Sequence, residues 1–349
     1  MTLNNEKRIR VLIVDDSMLA REIMSKIVSS DQQLEVVATA VDPFDARDKL
    51  LKYKPDVMIC DVEMPKMNGV EFIRRLMPQF PLPAIVVSSV SEAVFDAMNA
   101  GAVDFITKPD IQSVIDMEAF VRELNGKIKT AAKANISKQE IFEKPAIIPD
   151  KHYDAKKIIA IGASTGGTEA LYNVLKDLPP NMPGIVVVQH IPPRFSKMFA
   201  DRLNVQTKLQ VKEAEDGDIL SSGMVVIAPG DRHIRIKKHY DKYRIECIQG
   251  EKVNGHCPSV DVLFESVARE AGKNAIGVIL TGMGSDGARG LWQIRKEGAR
   301  TIGQDEKTSV VYGMPKIAYE IGAVEMQLPL NKISYQLHML LQSELPKRE

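Results

Sequence analysis

Short apolar runs alternate with longer amphipathic stretches along most of the chain. Residues 8–14 form the first run, and Asp15 and Asp16 stand at its end. Ser17 then opens a helical pattern that reaches Ser29. Leu34–Ala40 reads as a strand and Pro43–Tyr53 as a helix. Val57–Cys60 is apolar and ends at Asp61, and Glu71–Met77 is helical. Ala84–Val87 ends at Ser88-Ser89, a helix runs from about Glu92 to Ala100, and Val103–Thr107 ends at Lys108-Pro109. Strict strand–helix alternation of this kind predicts a parallel sheet with helices on both faces.

Past residue 110 the character changes. Met117–Ala134 is rich in Lys, Glu and Ala and predicts a closing helix. Asn135–Pro149 is polar and predicts a tether. The alternation then resumes. Ile158–Gly162 leads into Gly162-Ala163-Ser164-Thr165-Gly166-Gly167, and Glu169–Leu178 is helical. Gly184–Gln189 delivers His190 at its end, and Phe195–Leu203 is helical. Val211 to about Ile227 predicts strands and turns, and Ile234–Lys238 with Tyr243–Gln249 predicts a hairpin. Ser259–Ala271 is a helix, and Ala275–Leu280 is a buried strand. That strand runs into Thr281-Gly282-Met283-Gly284-Ser285-Asp286-Gly287 and a helix to about Glu297. The organisation expected is a first domain over 1–125, a linker over 126–155 and a second domain over 156–349. Both domains are α/β, and no internal repeat is visible.

Composition narrows the function. The chain has 349 residues, 44% hydrophobic and 26% charged, with a formal net charge of +0. A neutral balance offers no basic surplus for nucleic acid. The polar N-terminus reads as no signal peptide, and no apolar run is long enough to span a bilayer. Cys60, Cys247 and Cys257 are scattered and odd in number, which argues against a disulfide framework or a zinc knuckle and for a reducing, cytoplasmic setting.

In open parallel sheets ligands bind outside the carboxyl ends of the strands. Asp15, Asp16, Asp61, Ser88 and Lys108 all sit at such ends. Clustered carboxylates suit Mg²⁺, which binds hard oxygens and phosphoryl groups. Each acid alone could equally cap a helix; the five together point to phosphoryl chemistry. Val14-Asp15-Asp16-Ser17, Asp61-Val62-Glu63-Met64-Pro65-Lys66-Met67-Asn68-Gly69 and Thr107-Lys108-Pro109 resemble the receiver domain of bacterial two-component response regulators, over about residues 8–125. The resemblance implies a (βα)5 flavodoxin-like fold with Asp61 as phospho-acceptor. It also implies Mg²⁺ held by Asp15, Asp16, Asp61 and the Glu63 carbonyl, phosphoryl contacts from Ser88 and Lys108, and Phe105 in the place of a switching aromatic.

In the second half Ser164, His190 and Asp286 each follow a predicted buried strand. Loops at one edge of one parallel sheet can meet, and the three types suit a nucleophile, its base and an orienting acid. Gly162–Gly167 alone is a weak signal, since glycines at a strand–helix junction also cradle phosphate. His233 and His256 compete as base, Asp231 and Asp261 compete as acid, and Asp286 or Ser285 could simply cap the helix that follows. Gly162–Gly167 carries neither the Gly-x-Gly-x-x-Gly spacing nor a P-loop Gly-Lys-Ser/Thr for a nucleotide, and no helix-turn-helix pattern follows residue 150 for a DNA-binding output.

Gly162–Gly167, Gln189-His190-Ile191-Pro192, Ala228-Pro229-Gly230-Asp231, Pro258-Ser259-Val260-Asp261 and Thr281–Gly287 resemble the catalytic domain of the chemotaxis protein-glutamate methylesterase family, CheB, over about 156–345. The resemblance implies a doubly wound, mainly parallel α/β catalytic domain with Ser164 as nucleophile, His190 as base and Asp286 as orienting acid. Backbone N–H groups of Thr165 and Met283 are the oxyanion candidates, and no cofactor is expected in this half. The implied substrates are glutamate γ-methyl esters on methyl-accepting chemotaxis receptors, with glutamine deamidation as a second activity. A chemotaxis histidine kinase is the implied phosphodonor, and phosphorylation of Asp61 is expected to relieve inhibition by the receiver. The expected protein is a cytoplasmic monomer that binds no nucleic acid and inserts in no membrane.

Overall fold

The computed structural model describes residues 7–89, 92–109, 113–136, 153–154 and 156–342. Two compact units divide the chain, Met1–Lys138 and Gln139–Glu349. Of the expected linker, residues 137–152 and 155 lie outside the described residues. No helix among the described residues is long and apolar enough to cross a membrane.

The first unit runs β1 (Ile9–Val14), α1 (Met18–Ser29), β2 (Leu34–Ala40), α2 (Pro43–Tyr53), β3 (Val57–Asp61), α3 (Gly69–Leu76), β4 (Ala84–Ser88), α4 (Glu92–Asn99), β5 (Asp104–Thr107) and α5 (Val114–Ala131). The strands pair in parallel in the order β2-β1-β3-β4-β5. Every residue of β3 and β4 is buried, as strands covered by helices on both faces must be. Side-chain caps start three of the helices. Ser17 Oγ accepts from Ala20 N at 3.3 Å, Asp42 Oδ1 from Phe44 and Asp45 N–H, and Asn68 Oδ1 from Glu71 N at 2.8 Å. The strand order reverses between β1 and β3, so the loops after these two strands part and leave a crevice. Helix α5 buries Ile128 and Ala131, and Asn125 Nδ2 donates to the Ile27 carbonyl of α1.

The second unit is built on a seven-stranded parallel sheet in the order β15-β14-β13-β6-β7-β10-β8. Its elements are β6 (Ile158–Ala163), α6 (Gly167–Leu175), β7 (Gly184–Gln189), α7 (Pro193–Gln206), β8 (Gln210–Glu213), β9 (Ile219–Leu220), β10 (Met224–Ile227), β11 (His233–His239), β12 (Lys242–Ile248), α8 (Val260–Ala271), β13 (Ala275–Ile279), α9 (Ala288–Lys296), β14 (Arg300–Gln304), α10 (Met314–Glu320), β15 (Met326–Leu328) and α11 (Leu330–Gln342). The hairpin β11–β12 joins β9 in a separate antiparallel sheet, which Ser266 Oγ of α8 ties down by accepting from Ile236 N at 3.0 Å. Central strands β6, β7 and β13 are buried throughout. Val260, Leu263, Phe264 and Val267 of α8 pack with Leu291 and Ile294 of α9 against Ile158, Ala160 and Ile279. On α6, the Val174 carbonyl accepts from Ser334 Oγ of α11 at 2.8 Å.

The pattern reading assigns no element beyond about residue 297, whereas β14, α10, β15 and α11 follow there. Three of these are too short for a period to show: β15 has 3 residues, β14 has 5 and α10 has 7. Helix α11 is long enough, and its buried Ile333, Leu337, Leu340 and Leu341 carry the helical spacing. Smaller differences are terminal. For example, α3 begins at Gly69 rather than Glu71, because Asn68 supplies the cap.

Helices α8 and α9 approach closely at Gly290, where an added Cβ would lie 2.5 Å from Phe264 Cβ and 3.1 Å from the Asp261 carbonyl oxygen. Neither atom can swing away. Gly290→Val is therefore expected to destabilise the second unit by about 2–3 kcal/mol, as overpacking a tight contact does, measured by denaturant unfolding of the full chain.

Candidate functional site

Register brings the second unit's loops together. Ala163 pairs with Gln189 and Gly162 with Ile279, so the loops after β6, β7 and β13 leave three adjacent strands at one level. The strand order reverses between β6 and β13, the place where open α/β sheets bind their ligands. Ser164 N donates to the Thr281 carbonyl at 3.0 Å, and His190 N to the Ala163 carbonyl at 3.1 Å. Gln189 Nε2 donates to the carbonyls of Ser164, at 2.9 Å, and His190, at 3.1 Å, and so ties the two peptides. A Cβ on Gly282 would meet Ser164 Cβ at 2.6 Å, so only glycine lets the two loops touch. Among the described residues the Ser164 hydroxyl makes no hydrogen bond.

His190 Nε2 lies 2.9 Å from Asp286 Oδ2. Its Nδ1 is buried without a hydrogen-bond partner, which leaves one ring nitrogen able to take a proton. Asp286 is 1% exposed. It does not cap the helix that follows it, since Gly287 is the N-cap of α9 and no side chain caps that helix. It caps α8 instead: Oδ2 accepts from Val260 N at 2.7 Å, and Oδ1 accepts from Asp261 N at 3.2 Å, Ser259 Oγ at 2.7 Å and Asn254 Nδ2 at 2.8 Å. Burial pushes this carboxyl upward, but the His190 hydrogen bond and charge, with Asn254 and Ser259, more than offset it and hold the pKa well below the usual range. The positive end of the α8 dipole favours the same anion.

The rival residues find other work. His233 is buried, and both its nitrogens are engaged, with Ser259 N at 3.1 Å and the Glu251 carbonyl at 2.9 Å. Asp261 accepts from Gly290 N at 2.7 Å and shares Asn254 with Asp286. Its pKa is raised, first by burial and also by the Asp286 charge. Asp231 is exposed. His256 is not apart from the site: its ring stacks on His190 at 3.7 Å and 10°. Thr165 is half-buried and Met283 is 51% exposed. The Thr165 carbonyl accepts from Thr281 Oγ1 at 3.0 Å, which fixes that turn. Sequence reasoning missed Asn254 and Gln189. Pro258-Ser259 marks the nearby start of α8, but nothing in the loop's pattern singles out Asn254.

In the first unit the crevice between β1 and β3 gathers acids. Asp15, Asp16 and Asp61 each offer an oxygen, and these lie within 4.8 Å of one another. Asp15 and Asp61 are buried and Asp16 is exposed. Lys108 Nζ donates to Asp61 Oδ2 at 2.8 Å and lies 3.6 Å from Asp15 Oδ2. Burial would depress the Lys108 pKa, but the two carboxylates raise it, so the ammonium persists. Burial raises Asp15, and its Oδ2 has no hydrogen bond. That orphaned oxygen, in an all-oxygen donor set, fits a hard divalent cation. Glu63 contributes N–H to Asp61 Oδ1 at 3.4 Å. Ser88 is buried beside the cluster's strand ends, and its carbonyl accepts from Lys108 N at 3.1 Å. Phe105 is 5% exposed and packs edge-on against Phe95 at 6.3 Å.

Two family models match, "CheB methylesterase" over residues 159–337 and "Response regulator receiver domain" over residues 11–118. A curated protein of Syntrophomonas wolfei, protein-glutamate methylesterase/protein-glutamine glutaminase 2, is 55% identical over 96% of this chain and 98% of its own. The Escherichia coli O157:H7 protein-glutamate methylesterase/protein-glutamine glutaminase is 47% identical over 95% of this chain and 96% of its own. The crystal structure of the Thermotoga maritima CheB methylesterase catalytic domain superposes with a TM-score of 0.52 at 42% identity, covering 53% of this chain and 98% of that one.

Asp286 and Ser164 differ sharply in what the fold asks of them. Asp286→Ala strips five donors of their acceptor and is expected to cost about 3–5 kcal/mol, as breaking a buried ion pair does. Ser164→Ala removes no hydrogen bond and is expected to stay within about 0.5 kcal/mol. Denaturant unfolding of the two variants beside the parent chain checks the contrast.

Proposed function

The chain belongs to the CheB methylesterase family and carries a response regulator receiver ahead of the catalytic domain, and on that premise we propose how its residues hydrolyse protein glutamate methyl esters and protein glutamine amides. Ser164 is the nucleophile, His190 the base and Asp286 the acid that orients it. The observation that carries this reading is the His190 Nε2–Asp286 Oδ2 bond of 2.9 Å, with the other ring nitrogen left unpartnered and the strand that delivers His190 paired with the one that presents Ser164.

His190 takes the Ser164 proton as Oγ attacks the ester carbonyl. Asp286 keeps the ring in one tautomer and stabilises the imidazolium that forms. Backbone N–H groups of Thr165 and Met283 receive the oxyanion, one such donor being worth about 2.7–4 kcal/mol of barrier. His190 returns the proton to the departing methanol. Water then attacks the acyl-enzyme with His190 again as base, releasing the carboxylate and regenerating Ser164. A glutamine amide follows the same route with ammonia leaving.

Asp61 is the phospho-acceptor. Asp15, Asp16, Asp61 and the Glu63 carbonyl would hold Mg²⁺, which neutralises charge on the transferred phosphoryl group. Lys108 contacts that group directly, and Ser88 binds one of its oxygens. Phe105 occupies the switch position. Phosphorylation replaces the Lys108–Asp61 pair with a doubly charged group, and such a change shifts a two-state unit only through differential contacts. The substrates are esters and amides on methyl-accepting chemotaxis receptors. The phosphodonor is a chemotaxis histidine kinase, and the protein works in the cytoplasm as a monomer.

Two outcomes test this reading with a methylated receptor and a small-molecule phosphodonor. Ser164→Ala is expected to abolish methanol release; release at the parent rate would sink the nucleophile assignment. In Asp61→Asn, methanol release is expected to stay at its basal rate when phosphodonor is added; a rise equal to that of the parent chain would remove Asp61 as the control point.

A further inference from the structure

One four-residue turn ahead of α8 reaches both members of the His190–Asp286 pair. Val253 and His256 close the turn on each other, with N–H to carbonyl bonds of 3.0 and 2.9 Å. Asn254 and Gly255 sit inside it at φ +54° and +83°. A left-handed pair of this kind is how a chain reverses within a few residues. The reversal puts two side chains to use. Asn254 Nδ2 donates to Asp286 Oδ1 and to Asp261 Oδ2, each at 2.8 Å. The His256 ring lies flat on the His190 ring.

An imidazole held by a hydrogen bond at one nitrogen is still free to rock about that bond. The carboxylate fixes where Nε2 points, and it leaves the tilt of the ring plane open. A second ring at van der Waals distance removes that freedom. Likewise a carboxylate can rotate about its Cβ–Cγ bond unless both oxygens are held. Oδ2 of Asp286 is held by His190 and Val260 N, and Oδ1 by Ser259, Asp261 N and Asn254. Of these donors, Asn254 comes from the same turn as His256.

We propose that the Val253–His256 turn is a clamp in which His256 and Asn254 are positioning residues, holding the His190 ring plane and the Asp286 carboxylate aligned for proton transfer. The clamp rests on the reading of His190 as base. His256 acts through its flat face, and its ring nitrogens take no part in the chemistry.

The test uses the full chain, activated with phosphodonor, and follows methanol release from a methylated receptor. His256→Ala removes the face and is expected to lower kcat by up to about 100-fold, the scale of a catalytic group displaced by about 1 Å, with KM unchanged. His256→Phe keeps a flat ring and is expected to recover most of that loss. Recovery by phenylalanine separates positioning from proton transfer, because a phenyl ring carries no proton. Phenylalanine as poor as alanine would overturn the clamp, and so would a loss confined to KM or an alanine variant with parental kcat. Ser164→Ala is assayed beside them. If that variant still releases methanol, the hydrolase reading falls and takes the clamp with it. If it is inactive while His256→Ala is unaffected, the clamp falls alone.

Discussion

A carboxylate at 1% exposure must be met by donors from every side, and Asp286 sets that demand at the centre of the second unit. Desolvating an isolated charge costs far more than a domain's whole stability. The fold answers with a helix N-terminus, a serine, an amide and an imidazole. These come from three places in the chain, so satisfying one charge fixes them and the acid's own loop, four segments, against one another. The loop after β13 carries the acid, the loop after β7 carries His190, the start of α8 supplies N–H groups, and the turn at 253–256 supplies Asn254. The geometry proposed for catalysis is thus a by-product of hydrogen-bond accounting in the core. The carboxylate proposed to orient the base also starts a helix.

The first unit meets a related problem with a different device. Its buried Asp15 takes one N–H from the start of α1, Ser17 N to Oδ1 at 2.8 Å, and the rest of the answer is a side chain. Lys108 reaches in from the end of β5 and pairs with Asp61, while Asp15 keeps an oxygen unbound. An ammonium on a flexible stem can shift when the charge beside it changes, whereas a helix N-terminus cannot. One unit therefore holds a fixed charge and the other a negotiable one. That difference suits a proposed catalytic site and a proposed control site respectively.

Much of this was legible in the residues. Central strands β6, β7 and β13 are continuous apolar runs, because they are covered on both faces, and their ends can be read directly. The rule that loops at the carboxyl ends of parallel strands converge is enough to bring Ser164, His190 and Asp286 to one edge. What the pattern could not reveal depends on contacts far apart in sequence. His233 looks as good a base as His190 until both of its nitrogens are seen to be occupied. Asp286 looks like a cap for α9 until it is seen to cap α8. Asn254 lies in a loop without periodicity, and its role exists only once two aspartates from separate elements flank it. The strands and short helix after residue 297 are too brief to carry a period, although α11 is not.

The division of labour between Ser164 and Asp286 has a consequence for how such a domain could change over time. The serine hydroxyl supports nothing in the fold, while the aspartate anchors the N-terminus of α8. A lineage that kept the domain as a binding platform and abandoned hydrolysis could exchange the serine at little structural risk. It would have to rebuild the start of a helix before it could exchange the aspartate. An intact acid is consequently poor testimony that a descendant still turns over substrate, and the hydroxyl is the position to inspect first.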